Sequence, residues 1–187
     1  MRLFAAILPP DTAVVELADE VRTLRQMPGA DRLSWTGEPG WHFTLAFYGE
    51  VEDGVVAELE TRLGRAAARR EPFELRLRHG GRFGHRALWA GAEGDRTEMA
   101  RLADGAVAAG RRAGISREEH RSYTPHLTLA RNRADEDLRP FVDALAEFEG
   151  QPWTAGELCL VRSNLPVGGR PGERPRYETV RAWALGG

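Results

Sequence analysis

His42-Phe43-Thr44-Leu45-Ala46 and His126-Leu127-Thr128-Leu129-Ala130 agree at four of five positions and start 84 residues apart, about half of a 187-residue chain. Each alternates polar and apolar side chains, the period of a half-buried strand. Acidic residues follow each and suit the positive end of a helix dipole: Glu52-Asp53 after the first, Asp135-Glu136-Asp137 after the second. A strand-helix unit repeated at half the chain length predicts two similar lobes related by a pseudo-twofold axis. Alternation puts His42 and Thr44 on one strand face and Phe43, Leu45 and Phe47 on the other. His126 and Thr128 likewise oppose Leu127 and Leu129. Across a pseudo-twofold axis, the two His-Thr pairs would confront each other in one cleft.

The rest of the pattern extends this outward. Residues 3–8 predict a buried strand stopped by Pro9-Pro10. Asp11 or Thr12 is the expected cap of a helix whose inward side is Val14, Val15, Leu17, Val21 and Leu24. Residues 33–35 predict a brief strand and residues 41–49 a longer one, followed by a helix carrying Val55, Val56, Leu59 and Leu63. Residues 73–77 alternate and predict a strand that turns through the glycines at 80–84 into an antiparallel neighbour at 87–90. A helix is expected at 95–113, ended by Gly114. An irregular polar stretch at 116–125 precedes the second motif strand, 126–131, and a helix is expected at 135–145. Strands at 157–161 and 177–185 close the chain around a loop at 166–172. The order β-α-β-α-β-β-α-β-α-β-β predicts one α+β domain over residues 1–187, built of two lobes with one motif strand each.

Composition narrows the classes. With 42% hydrophobic and 29% charged residues, the chain is neither disordered nor fibrous. The single cysteine, Cys159, cannot form an internal disulfide, and its apolar neighbours predict a buried residue. No stretch approaches the ~20 apolar residues of a membrane span. The short apolar start lacks a signal-peptide pattern, so the expectation is a cytoplasmic protein with no membrane partner. All 26 basic residues are arginine, yet the net charge is −2, which excludes a wholesale basic coat. Charge is segregated: residues 69–86 and 111–133 each carry a net +4, residues 134–160 a net −6. A local basic groove remains open, and Arg78, Arg82, Arg86, Arg117, Arg121, Arg170, Arg174 and Arg176 are candidates to line it.

Two imidazoles and two hydroxyls around one pocket suit acid-base chemistry on a phosphodiester. One histidine can act as general base while the other acts as general acid. The threonines can donate hydrogen bonds to non-bridging oxygens, and in-line attack then needs positioning and charge stabilisation. One His-x-Thr is a weak signal; two in equivalent contexts, among five histidines, are specific. No cysteine, aspartate or glutamate recurs at a fixed offset in the motifs, so neither a metal nor another cofactor is expected. Tyr123 is a candidate to stack on a terminal base or to pack in its loop. Trp41 is expected in the core, and His79, His85 and His120 at the surface.

The paired HxTL strands resemble the two-histidine phosphoesterase superfamily, and most closely its RNA 2′,3′-cyclic phosphodiesterases, also called 2′-5′ RNA ligases. The resemblance runs over nearly the whole chain. It rests on Arg2-Leu3-Phe4-Ala5-Ala6-Ile7, on His42 to Val51, on Tyr123 to Arg131, and on Arg176-Tyr177 with Trp183-Ala184-Leu185. It implies a bilobal α+β fold with antiparallel sheets around a central cleft and helices outside. It implies metal-free cleavage of 2′,3′-cyclic phosphate at RNA 3′ ends to a 2′-phosphate, with 2′-5′ ligation as related chemistry; a monomer is expected. His42 would be the proton donor to the leaving 3′-oxygen, and His126 the base that activates water. Thr44 and Thr128 would hold phosphate oxygens, and Arg131 would support the phosphate. Arg131 lies five residues past His126, so strict alternation puts it on the wrong face unless the strand bends or ends there. Two other readings remain: a phosphodiesterase for a small cyclic phosphate such as a nucleotide or ADP-ribose derivative, and an RNA-end-binding module without turnover.

Overall fold

The computed structural model describes residues 1–116, 123–166, 168 and 174–187. Arg117, His120, Arg121 and Arg170, with most of the stretches at 116–125 and 166–172, fall outside them. The elements are β1 (Arg2–Ile7), α1 (Asp11–Leu24), β2 (Ser34–Trp35), β3 (Phe43–Glu50), α2 (Asp53–Ala68), β4 (Phe73–Phe83), β5 (Ala87–Gly94), α3 (Arg96–Arg112), β6 (His126–Arg131), α4 (Arg139–Ala144), β7 (Trp153–Ala155), β8 (Glu157–Asn164) and β9 (Arg176–Ala184). They make two sheets, ordered β3-β1-β8-β9 and β2-β6-β5-β4-β7. Every pairing is antiparallel. The fold is α+β, and each sheet holds one motif strand. The sheets interleave along the chain: β8 and β9 return from the C-terminal part to complete the sheet that β1 and β3 begin.

β1 is buried along almost its whole length, so both of its faces need cover. Leu3, Ala5 and Ile7 join Phe43, Leu45, Leu158 and Leu160 in the main core, with Leu59 and Leu63 of α2 and Met99 and Leu102 of α3. Tyr48 of β3 donates its hydroxyl to the Ala106 carbonyl of α3 at 2.8 Å, tying helix to sheet. The opposite face, Phe4, Ala6, Cys159 and Val161, forms a separate small cluster with Phe47 and Tyr177 against it. Cys159 is buried as expected, and burial pushes its thiol up to about 11. In the second sheet Phe73, Leu75 and Leu77 point inward while Glu74, Arg76 and Arg78 point outward, the alternation of a half-buried strand. α1 and α4 lie against β4.

Several elements depart from the sequence pattern. Neither Asp11 nor Thr12 caps α1: Pro10 is the N-cap, and Asp11 sits in the first turn at the dipole's positive end. The inward side of α1 is Ala13, Leu17, Val21 and Leu24, whereas Val15 is 62% exposed. Gly80 and Gly81 belong to the β4–β5 ladder rather than to its turn, which lies at 84–86. They are small because Leu145 and the Trp89 ring fill the space a Cβ would take. α4 is a short helix, not one spanning 135–145. Asp135 is left-handed (φ +58°), and the acids ahead of the helix serve other contacts. Glu136 pairs with Arg32, and Asp137 accepts from the backbone N–H and guanidinium of Arg139. Three-residue β7 carries no readable period. α3 begins at an Asp95 cap that accepts from Glu98 N–H and ends before Gly114 (φ +90°), as predicted.

Candidate active site

Both motif strands break strict alternation at the same place. In β3, Ala6 pairs with Thr44 and Ala5 with Ala46, so Leu45 has no partner. In β6, Trp89 pairs with Thr128 and Leu88 with Ala130, so Leu129 has none. Each is a β-bulge, one extra residue that shifts the facing of everything beyond it. Burial follows: Leu45-Ala46 and Leu129-Ala130 are consecutive buried pairs, flanked by half-buried Thr44 and Phe47 in one strand and by half-buried Thr128 and exposed Arg131 in the other. Arg131 therefore shares a face with His126 and Thr128, which resolves its parity. Phe47 shares a face with His42 and Thr44, which corrects its expected place in the core.

His42 stands one residue before β3. Its ring is tilted on Phe4, with centroids 4.5 Å apart, and meets Tyr177 edge-on at 5.4 Å. Burial holds its imidazole far below the ordinary histidine value, at about 4. The positive charges of His126 and Arg131 push the same way, while a hydrogen bond to the Gly40 carbonyl opposes them. The motif strands β3 and β6 contact each other across the two sheets, and His42 lies close enough to His126 and Arg131 for their charges to act on it.

His126 opens β6 against a different aromatic wall, Phe83 edge-on at 4.7 Å and Trp89 at 6.2 Å. Its Nδ1 lies 2.8 Å from the Thr124 carbonyl, an oxygen that can only accept, so Nδ1 carries the hydrogen. Nε2 is then the nitrogen free to exchange a proton. His126 is thus tethered to the carbonyl two residues upstream, that of Thr124.

Tyr123 is placed differently from the base-stacking expectation. It packs against the main core and donates its hydroxyl to the Thr44 carbonyl at 3.2 Å. It therefore links the segment before the second motif to the first motif strand. Burial raises its phenol above the ordinary value. Trp41 is buried and donates its indole N–H to the Thr36 carbonyl. His79 and His85 are exposed.

Beside the histidines, an open groove of about 1250 Å³ passes Tyr177, Trp35, Thr36, Gly37, Pro39 and Gly40. Arg25, Arg32, Arg131, Arg133, Arg174 and Arg176 line it, against one acid, Asp31. Arg174 and Arg176 were among the groove candidates. Arg78 is instead paired with Glu93 through both carboxylate oxygens, and Arg82 donates to the Gly84 carbonyl.

The model of the 2′-5′ RNA ligase superfamily matches residues 9–165 of this sequence. The chain belongs to that superfamily. An Aeropyrum pernix protein named RNA 2′,3′-cyclic phosphodiesterase is 32% identical over 161 residues, covering 80% of this chain and 89% of that one. A Geobacillus stearothermophilus protein of the same name is 29% identical over 157 residues. That match covers 81% of this chain, which spans about half the relative's length (48%). Crystal structures agree on the fold. TT0787 of Thermus thermophilus superposes with a TM-score of 0.78 at 27% identity, covering 100% of this chain and 99% of that one. Escherichia coli LigT complexed with NADP+ superposes with a TM-score of 0.76 at 25% identity, covering 100% and 98%.

In this superfamily member, sequence reasoning missed the aromatic walls of the histidines. Phe4 could have been found: a strand as apolar as residues 3–7 on both faces must bury the second face against something. Arg25, Arg32 and Arg133 were missed because their groove is assembled from segments far apart in the chain, and no local pattern marks them.

Proposed function

We propose that this chain hydrolyses 2′,3′-cyclic phosphodiester ends of RNA to 2′-phosphomonoesters by acid-base catalysis shared between His42 and His126. The observation that supports this reading is the contact between the two motif strands, β3 and β6, which sets His126 and Arg131 within electrostatic reach of His42. The names of the relatives agree with it. His126 takes a proton from water at Nε2 as the water oxygen bonds to phosphorus. The P–O3′ bond breaks, and the 3′-oxygen leaves with a proton from His42. Thr44 and Thr128 donate to the non-bridging oxygens, and Arg131 offsets their charge. His42 is neutral in the free protein at pH 7, so it gains its proton with the substrate. With His126 neutral as the base, the phosphate anion offsets the Arg131 charge that opposes protonation of His42. With a 5′-hydroxyl in place of water, the same steps leave a 2′-5′ linkage, the reaction in the superfamily's name. Six arginines along the groove favour an RNA chain over a small cyclic phosphate.

The test is an oligoribonucleotide ending in 2′,3′-cyclic phosphate, incubated with the protein in EDTA. The 2′-phosphate product is expected, with rates falling ~10²–10⁴-fold in His42→Ala and in His126→Ala. Tight binding without product would move the protein to the end-binding class. Full activity in both variants, or loss of activity in EDTA, would overturn the mechanism.

A further inference from the structure

A second arginine-lined groove lies on the outer surface, between α2 and α3, and plays no part in the chemistry above. It is open, holds about 540 Å³, and is lined by Arg62, Arg65, Arg69 and Arg70 from α2 and its end and by Arg101 and Arg112 from α3. Among the described residues Asp104 is its one acid, and Ala66, Gly105 and Ala108 make its floor. The two helices cover the face of the first sheet that points away from the His42 cluster, so a helix layer about 10–12 Å thick separates the groove from the cleft. Half of the arginines are engaged: Arg62 pairs with Glu58, and Arg70 and Arg101 share Glu98. Among the described residues, Arg65, Arg69 and Arg112 have no acidic partner within ion-pair distance, and all three are exposed. The sequence signal is a spacing of three and four, residues 62, 65 and 69, which keeps three guanidinium groups on one side of α2.

The three guanidinium groups of Arg65, Arg69 and Arg112, without acidic partners and set against Asp104, select an anion. The form of the groove selects which one. It is an open channel whose α2 side, from 62 to 70, runs about 12 Å. That length suits successive phosphates of a chain. Among the described residues no aromatic side chain lines it, so none of them stacks a base there. Recognition limited to phosphates is independent of sequence and carried by Arg forks.

We propose that the α2–α3 groove is a second phosphate-binding track that holds the sugar-phosphate backbone of a long or folded RNA away from the reacting end. This extends the RNA reading of the cleft and rests on it for the identity of the polyanion. RNA bound at both places gains affinity from the track without any change in the chemistry, whereas a substrate as small as a mononucleotide reaches only the cleft.

The test compares the whole wild-type protein with the Arg65→Gln/Arg69→Gln/Arg112→Gln variant and with Asp104→Asn. Affinity for a long hairpin RNA ending in a 3′-hydroxyl is measured as a function of salt, so that binding is read without turnover. The triple variant is expected to bind about 10-fold more weakly, with its logarithmic salt slope reduced by about 2, near the 0.7–0.9 expected for each lost phosphate contact. Asp104→Asn is expected to bind more tightly, a gain that misfolding cannot mimic. Hydrolysis of a mononucleoside 2′,3′-cyclic phosphate is expected to stay at the wild-type rate in both variants. Unchanged RNA affinity and salt slope in the triple variant would overturn the track. So would protection of these arginines by pyrophosphate or an acidic peptide but not by RNA. Absence of hydrolysis in the wild type would count against the cleft reading alone, because the binding arm needs no turnover.

Discussion

Phe47 and Arg131 occupy equivalent places: each lies five residues past a motif histidine, and each is turned to the histidine's face by a bulge two residues earlier. The two sides then diverge. Phe47 packs on the Phe4-Cys159-Val161 cluster with the Arg2 guanidinium 5.0 Å over its ring. Arg131 is exposed, lines the groove and adds its charge to the field at His42. A twofold-like backbone thus carries an asymmetric charge, with an arginine beyond the second motif where the first has a phenyl ring.

That asymmetry separates two substitutions. Arg131→Ala removes the charge proposed to support the phosphate and is expected to lower the rate of cyclic-phosphate hydrolysis ~10²-fold. Its folding stability should stay within about 0.5 kcal/mol of wild type, because the side chain is exposed. Phe47→Ala should do the reverse, losing about 2 kcal/mol in urea unfolding while retaining most activity per folded molecule. An Arg131→Ala protein with full activity would remove Arg131 from the phosphate site.

His42 is expected to titrate near pH 4 when its ring is followed by NMR. Burial is the main cause, and the His126 and Arg131 charges add to it. Removing a positive neighbour lowers the obstacle to protonation, so Arg131→Ala and His126→Gln should each move the value up. The acid limb of kcat/KM should lie near pH 4, well below the ~6.5 of a free imidazole. The limb belongs to the coupled pair rather than to one ring. A His42 value near 6.5, unmoved in both variants, would contradict the burial and coupling together.

Stability should carry the same signature. The folded value of His42 is depressed, so the unfolded chain binds its proton first as pH falls. The contribution is present above about 6.5 and is lost between there and about 4. At full extent it is on the order of 3 kcal/mol. His42→Gln should therefore narrow the difference in unfolding free energy between pH 7 and pH 4.5, measured by urea titration. A variant as acid-sensitive as wild type would assign that loss to the carboxylates instead.

The two motif strands, β4 with β5, and the helix at 96–112 were legible because each has a period that one residue in two or in 3.6 declares. The likeness of the two motif strands was legible because the same five-residue pattern occurs twice. The bulges at Leu45 and Leu129 were not. A bulge is a property of two paired strands, and a single strand's sequence shows only two apolar residues in a row. The place of Phe47 was therefore misread, and that of Arg131 was left unresolved. The short α4 was misread for a related reason: the acids at 135–137 look like a helix start, but Arg32 and Arg139 engage two of them in the fold.

Tyr123→Phe tests whether this residue positions the site or touches substrate. The ring stays packed and only the bond to the Thr44 carbonyl is lost, so about 1 kcal/mol of stability should go. Hydrolysis of a short cyclic-phosphate substrate should change by no more than a few fold. A selective rise in KM for a purine-ended over a pyrimidine-ended RNA in Tyr123→Ala, absent in Tyr123→Phe, would restore the stacking role.

Gly81 gives the sharpest packing test. It pairs with Trp89 across the β4–β5 ladder, and a Cβ on Gly81 would lie 2.3 Å from Cζ2 of that indole. The ring lies over Gly81 as part of the wall of His126: Trp89 packs on Phe83 at 5.5 Å, and Phe83 meets the His126 ring edge-on at 4.7 Å. Gly81→Ala must therefore displace Trp89, which is expected to cost about 1–3 kcal/mol and to shift the His126 ring resonances. The rate of cyclic-phosphate hydrolysis should fall with that shift, while the His42 titration, set against Phe4 and Tyr177 in the other sheet, stays in place. Gly84→Ala is the control. A Cβ there meets nothing within 4 Å, so only the left-handed backbone (φ +54°) is penalised, by about 1–2 kcal/mol, and His126 should not respond. If the two variants lose similar stability but only Gly81→Ala slows turnover, the indole acts on catalysis by holding the His126 ring. If neither slows it, the aromatic wall is packing alone.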